Sequence, residues 1–253
     1  MKAIIFAAGL GTRLRPVTAD RPKALVEVNG VTMLERTLRA IIAAGCTSVV
    51  VNVHHFADKV IDFLNSHDWG VEVHVSDERD LLLETGGGVL AARQWLDGDE
   101  PFIVHNADIL TNGLNLKDMA DYHKRSGALA TLLVRERDTV RHLLFDTNYR
   151  MHGWINLNTG ELRPEGLNEM GLMRRAFGGI HICSPEIFPA LEQYAHTAGR
   201  VFSTVSFYID ACRDHLINGY YPAGDYLWLD VGKPDTLKQA NEVWATLEGH
   251  SNC

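Results

Sequence analysis

Residues 5–28 read IFAAGLGTRLRPVTADRPKALVEV, a stretch that joins two glycines, Gly9 and Gly11, to cations that include Arg13, Arg15 and Lys23. Glycines let successive backbone N–H groups turn toward one anion, and arginine and lysine supply the charge that a phosphate chain demands. The apolar run Ala3–Ala7 delivers this loop from the end of a short strand. Two aspartates follow apolar runs in the same way. Asp108 comes after Phe102-Ile103-Val104, and Asp230 comes after Tyr226-Leu227-Trp228-Leu229 and before Val231-Gly232. Carboxylates at strand ends suit a divalent cation, usually Mg²⁺, that takes its other ligands from phosphate oxygens. Each residue also has a plain structural use: Lys23 on the surface, the glycines in a tight turn, the aspartates as turn or cap residues. A third signal is Glu84-Thr85-Gly86-Gly87-Gly88, where three glycines let backbone approach a flat ligand closely, a flexible turn being the alternative.

The bulk numbers narrow the partners. A formal charge of −8 over 253 residues is unsuited to a nucleic-acid surface, which needs a basic face. The cationic loop therefore stands against an acidic background, and a small polyanion is its natural ligand. Leu14 stands where a dinucleotide fingerprint needs its third glycine, and no Gly-Lys-Ser or Gly-Lys-Thr closes a P-loop. Cys46, Cys183, Cys212 and Cys253 are too scattered for a zinc site and read as reduced thiols, mostly buried. The adjacent His54 and His55 read as structural. With no apolar signal segment and no membrane-length apolar run, the expected compartment is the cytoplasm, with no membrane partner. The oligomeric state is not legible.

Strands and helices alternate through the first half. Residues 32–44 pattern as an amphipathic helix, with Thr32 as N-cap, Glu35 three residues on and Gly45 as the stop. Ser48–Val53 is a β-branched strand, Ala57–Asn65 a helix, Gly88–Leu96 a helix directly after the three glycines, and Phe102–His105 a strand. This order predicts an α/β fold: a mainly parallel, doubly wound, Rossmann-like mixed sheet with helices on both faces. Ligands on such sheets bind at the carboxyl ends of strands, where loops 8–23, 84–88 and 106–112 fall. Residues 141–165 read as hairpins or a meander, Phe177–Cys183 as a strand, Pro185–Ala195 as a helix that Ser184 caps, and Pro234–Leu247 as a closing helix. The expected organisation is a single domain with two halves, 1–135 binding the nucleotide and 136–253 the acceptor.

Gly9-x-Gly11-Thr12-Arg13 with Pro22-Lys23 downstream closely resembles the signature of the sugar-1-phosphate nucleotidyltransferases. Asn106-Ala107-Asp108 and Asp230-Val231-Gly232-Lys233-Pro234 resemble that family's two aspartate turns, and the likeness is strongest over 1–112 and 177–244. The resemblance implies a Mg²⁺-dependent enzyme whose substrates are a nucleoside triphosphate and a sugar-1-phosphate. It implies that Asp108 and Asp230 hold the metal, that Gly9, Gly11, Thr12 and Arg13 cradle the β- and γ-phosphates, and that Lys23 neutralises the α-phosphate. Ala7, Ala8, Gly86, Gly87 and Asn106 fall at nucleotide-contacting positions, Glu84 at one near the base or the acceptor, and Gly179 at an acceptor-contacting one. The compact members with a Glu-Thr-Gly-Gly-Gly loop and no repeat domain include enzymes of cell-wall recycling that use UTP and N-acetylmuramate 1-phosphate; the chain looks most like that group. CTP or GTP, another sugar phosphate or phosphocholine as acceptor, and a catalytically silent nucleotide-sugar sensor are the alternatives. The family's acceptor-binding Glu-Lys-Pro lysine has no counterpart between residues 135 and 178; Arg150, Arg163, Arg174 and Arg175 are the candidates to replace it.

Overall fold

Parallel and antiparallel strand pairs and interleaved helices give the chain its expected α/β mixed-sheet fold. The computed structural model describes residues 1–249. In chain order the elements are β1 (Lys2–Phe6), β2 (Glu27–Val28), β3 (Val31–Thr32), α1 (Met33–Ala43), β4 (Ser48–Val53), α2 (Ala57–Asn65), β5 (Glu72–Asp77), α3 (Glu84–Ala91), α4 (Arg93–Leu96), β6 (Phe102–Asn106) and β7 (Ile109–Asn112). There follow α5 (Leu116–Ser126), β8 (Ala130–Arg135), β9 (Arg141–Phe145), β10 (Met151–Asn156), β11 (Glu161–Arg163), β12 (Met173–Cys183), α6 (Ile187–Ala198), α7 (Thr204–Ala211), β13 (Ile217–Tyr220), β14 (Leu227–Asp230) and α8 (Pro234–Gly249). The chain forms two compact units. Of the described residues, the first comprises 3–82, 105–114 and 225–249; the second comprises Met1–Lys2, Leu83–Val104 and Asn115–Gly224.

In the first unit β4 lies between β1 and β5 and runs parallel to β5, with Ser48 opposite Glu72 and Val53 opposite Asp77. Every residue of β4 is buried, which explains its run of valines. Helix α1 starts where its sequence says it should: the Thr32 hydroxyl accepts from the Glu35 N–H at 3.1 Å, a cap worth about 1 kcal/mol. Its buried face carries Met33, Leu34, Leu38 and Ile41. A second core gathers Val28, Met33, Leu110, Leu229, Val231 and Trp244 beneath the antiparallel β7–β14 ribbon. That ribbon matters because an acidic residue stands at its end on each strand.

In the second unit β12 pairs antiparallel with both β8 and β9, and β9, β10 and β11 form the antiparallel meander expected over 141–165. β13 runs parallel to β8. The β12–β8 register shifts between Phe177 and His181, where Gly179 has φ +74°. Only a residue without a β-carbon adopts that left-handed backbone cheaply, so Gly179 serves the bulge.

Three local expectations need correction. The helix expected from Gly88 begins at Glu84, with Gly86, Gly87 and Gly88 inside it and buried. Glycine is a poor helix former, so propensity pushed the start downstream; packing against residues 200–202 overrides it. Ser184 does not cap the following helix, which starts at Ile187 with Glu186 at the cap position. The Ser184 hydroxyl instead donates to the Ala128 carbonyl at 2.9 Å and meets His123 Nε2 at 3.0 Å. β12 begins four residues before Phe177 because its amino-terminal end is recruited by β9. Cys46, Cys183 and Cys212 are buried and join no disulfide among the described residues, and burial raises their thiols to about 11, 12 and 11; Cys253 lies outside the described residues. No helix among the described residues is long and apolar enough to cross a membrane.

Candidate active site

The loop after β1 is held from below by one polar side chain in an apolar strand. Asn52 on β4 accepts the Ala7 and Ala8 N–H groups with Oδ1, at 2.7 and 3.2 Å. Its amide nitrogen donates to Glu78 Oε1 at 2.9 Å. Both side chains are buried, so this chain of bonds has no water to compete with it. The amides of Ala7 and Ala8 are thus already committed. The next five are not: among the described residues, the N–H groups of Gly9, Leu10, Gly11, Thr12 and Arg13 have no internal acceptor. A run of unpaired N–H groups in one turn is an anion-binding concavity.

Gly9 and Gly11 are glycines for different reasons. Gly11 has φ +64°, and a β-carbon there would meet Thr18 at 3.0 Å and Lys23 at 3.2 Å. Its carbonyl accepts from the Leu14 N–H at 3.0 Å and the Thr18 hydroxyl at 2.7 Å, which turns the chain into the 3₁₀ segment Thr12–Leu14. The fold requires Gly11. Gly9 has nothing within 4 Å of such a β-carbon and no positive φ, so the fold leaves it free. What its small size supplies is open space over the loop.

Charge converges on the same place. The Lys23 ammonium is ion-paired with the Asp108 carboxylate. Asp108 precedes β7 and Asp230 ends β14; Asp230 lies opposite Ile109, and the Val231 N–H donates to the Asp108 carbonyl at 2.9 Å. The ribbon therefore sets the two aspartates side by side. Oδ1 of Asp230 is buried without a hydrogen-bond partner among the described residues. A buried carboxylate oxygen left unpaired is costly unless something electropositive joins it. Gly232 makes room here, since a β-carbon on it would stand 2.8 Å from Asp230 Oδ1 and 2.9 Å from the Arg13 guanidinium. Gly9–Arg13, Lys23, Asp108 and Gly232 line a cavity of about 320 Å³. Arg15 is exposed and does not line it. The donor set fits a hard divalent cation that keeps most of its ligands as water or phosphate oxygen: two adjacent carboxylates, one with an unpaired buried oxygen. Among the described residues no cluster of three or more metal-ligating side chains exists to bind an ion by itself.

Asn106 ends β6, and its carbonyl bonds His105 Nδ1 at 2.9 Å. The next amide, Ala107, donates to the Phe6 carbonyl at 3.1 Å, tying the Asp108 turn to the end of β1. Burial pushes the His105 imidazole down to about 4, so it is neutral. His54 Nδ1 meets the Glu78 carbonyl at 2.7 Å, in keeping with a structural part.

The second unit places the remaining candidates. Glu84 opens α3 with φ +58°. The Gly86 and Gly87 N–H groups both donate to the Phe202 carbonyl, at 2.8 and 3.2 Å. A β-carbon on Gly86 would lie 2.4 Å from the Phe202 ring, and one on Gly87 would lie 2.2 Å from the Arg200 carbonyl. These two glycines are demanded by the protein's own packing. The sequence reading missed Asn52, Glu78, His105 and Gly232. Asn52 had a visible signal, as the one amide in the buried strand Ser48–Val53, and Gly232 had one in its aspartate turn; Glu78 and His105 had none.

Comparison with known proteins agrees with this geometry. The nucleotidyl transferase family matches residues 2–142. The chain is similar to an N-acetylmuramate alpha-1-phosphate uridylyltransferase of Caulobacter vibrioides, 33% identical over 242 residues and covering 92% of each chain. It is also similar to a mannose-1-phosphate guanyltransferase of Candida albicans, 34% identical over 97% of this chain and 65% of the relative. Among solved structures it shares its fold with a putative glucose-1-phosphate thymidylyltransferase from Bacillus anthracis, with TM-score 0.80, 16% identity, and coverage of 96% of this chain and 94% of the other. The chain therefore belongs to the nucleotidyl transferase family, as a sugar-1-phosphate nucleotidyltransferase.

Proposed function

We propose that the first unit binds a nucleoside triphosphate with Mg²⁺ and that the chain transfers its nucleotidyl group to a sugar-1-phosphate. The observation that carries this reading is the meeting of five unpaired amides, Gly9 to Arg13, with Lys23 and the adjacent pair Asp108 and Asp230. The amides and Arg13 hold the β- and γ-phosphates. Lys23 neutralises charge on the α-phosphate, and its present partner Asp108 marks where it reaches. An acceptor phosphate oxygen attacks the α-phosphorus in line. The bond to the β-phosphate oxygen breaks, and pyrophosphate leaves with the electron pair while Arg13 stabilises it. The acceptor is already an anion, so no strong base is required. Asp108 and Asp230 would hold the metal, which when bound neutralises phosphate charge and polarises the bond that breaks. Ala7, Ala8 and Asn106 of the first unit, and Glu84, Gly86, Gly87 and Gly179 of the second, are carried as substrate contacts by the family resemblance.

UTP and N-acetylmuramate 1-phosphate are the substrates best supported, by the relative from Caulobacter vibrioides that covers both chains almost fully. Work in cell-wall precursor recycling, in the cytoplasm where nucleoside triphosphates and reduced thiols belong, goes with that choice. A second reading, GTP with mannose 1-phosphate, rests on the similarly identical Candida albicans relative. Pyrophosphate release from a grid of four nucleoside triphosphates against several sugar-1-phosphates tests both. Highest turnover with UTP and N-acetylmuramate 1-phosphate supports the first; preference for GTP and mannose 1-phosphate replaces it with the second; no release from any pair rejects the enzyme reading.

A further inference from the structure

Helix α3 has no cap of its own. Leu83 stands at its cap position and offers no side-chain acceptor, so the amides of its first turn need partners from elsewhere. The Phe202 carbonyl supplies one, taking the Gly86 and Gly87 N–H groups, and the Phe202 N–H donates in return to the Leu83 carbonyl at 3.3 Å. The arrangement is mutual. Thr204 opens α7, and its N–H donates to the Thr85 hydroxyl at 2.9 Å, while the Thr85 and Thr204 hydroxyls bond each other at 3.1 Å. Two helices of the second unit therefore cap each other at their amino ends. Phe202 and Thr204 are buried, so water does not compete for these bonds. The Phe202 ring packs on the Tyr194 ring, 5.0 Å between centres, which holds residue 202 in place.

What this lock holds is strained. Glu84 has φ +58°, a left-handed backbone that a residue with a β-carbon adopts only at a cost. Such a conformation persists where its surroundings over-determine it, and it collects at sites that bind or react. Leu83 and Thr85, on either side of Glu84, are both bonded to the segment 202–204, so the lock dictates the Glu84 backbone. The fold gains no bond from the side chain. The Glu84 carboxylate is exposed and has no hydrogen-bond or ion-pair partner among the described residues.

We infer that Thr85 is a positioning residue. Its hydroxyl, through Thr204, holds the start of α3 so that the Glu84 carboxylate meets an N–H or O–H donor of a bound substrate. This deepens the proposed function and rests on it, since Glu84 is one of the substrate contacts named there. The donor belongs to the nucleotide or to the acceptor sugar, and the KM that moves tells the two apart.

Steady-state pyrophosphate release by the full chain, with each substrate varied in turn, tests this. Thr85→Val keeps the shape of the side chain and removes the hydroxyl. It should raise the KM of one substrate about tenfold and leave kcat within about threefold. Thr85→Ser keeps the hydroxyl and should hold that KM within about twofold of the unaltered chain. Glu84→Gln should raise the same KM, and Thr85→Val combined with Glu84→Gln should raise it no further, because Thr85 acts through Glu84. Asn115→Ala controls for lost stability alone. It removes the side chain that accepts the Lys117 and Asp118 N–H groups and caps α5 in the same unit, so it should lower the melting temperature with both KM values unmoved. The inference is overturned if Thr85→Val leaves both KM values within about twofold of the unaltered chain, or if its effect adds in full to that of Glu84→Gln. Failure of the proposed reaction looks different: no substrate pair releases pyrophosphate, while calorimetry still finds Thr85→Val binding Mg²⁺–UTP or N-acetylmuramate 1-phosphate about tenfold more weakly than the unaltered chain.

Discussion

Asn52→Asp isolates the part of the site that the sequence least advertised. The substitution keeps the shape of the side chain and an oxygen to accept the Ala7 and Ala8 amides. It removes the donor that faces Glu78 at 2.9 Å and puts a second carboxylate there, in a buried place. Two carboxylates at hydrogen-bond distance cannot both stay ionised, so one takes a proton and the bond re-forms. From a reference near 4.3, holding that proton at pH 7.5 costs about 4 kcal/mol, and about 1 kcal/mol at pH 5. The sign is fixed by linkage: the folded variant binds one proton more than the unfolded chain, so its stability falls as pH rises through this window. A domain stable by about 5–15 kcal/mol survives this, with a large loss at neutral pH. Urea unfolding at pH 5, 6 and 7.5 reads the deficit. Adding Glu78→Gln restores a donor and should bring stability back to within about 1 kcal/mol of the parent at every pH. Mg²⁺–UTP affinity should fall in the single variant at pH 7.5 and recover in the double. A deficit independent of pH, or no rescue by Glu78→Gln, would refute the claim that Asn52 and Glu78 together hold the loop after β1.

Other expectations follow from the same geometry. Asp230→Asn should lower pyrophosphate release by about 100-fold or more while leaving the melting temperature unchanged or higher, because the lost charge is on an oxygen that no protein group satisfies; near-normal turnover contradicts the metal assignment. Lys23→Ala should cost a similar factor in kcat and free Asp108, and unaltered kcat in steady-state kinetics rejects its role. Gly232→Ala should displace Asp230 and Arg13 and reduce kcat by about 10–100-fold with the fold intact by circular dichroism. His105 and His123 are both pushed down to about 4 by burial, so each is neutral when folded and protonates on unfolding below about 6.5. Their contribution is complete above that pH and is lost as pH falls toward 4, about 2 kcal/mol each at pH 5, which thermal melts across pH 4–8 check.

Much of the candidate site was legible because it is local. Gly9 through Arg13, Pro22-Lys23 and the two aspartate turns are short runs whose chemistry follows from residue type and from strand ends that hydrophobic runs reveal. Helix α1 was legible for the same reason, as its cap and apolar face lie within a dozen residues. What the chain order did not reveal was pairing at a distance. Asp108 and Asp230 become neighbours only because β7 and β14 form a ribbon across more than a hundred residues. Whether Gly86 and Gly87 serve a ligand or the protein is decided by Phe202 and Arg200, and Arg163, Arg174 and Arg175 are committed by the fold to Glu161, Glu169 and Glu136. Local sequence fixes what a residue is able to do; which partners remain for it is a property of long-range packing, where register and burial assign every hydrogen bond and charge at once.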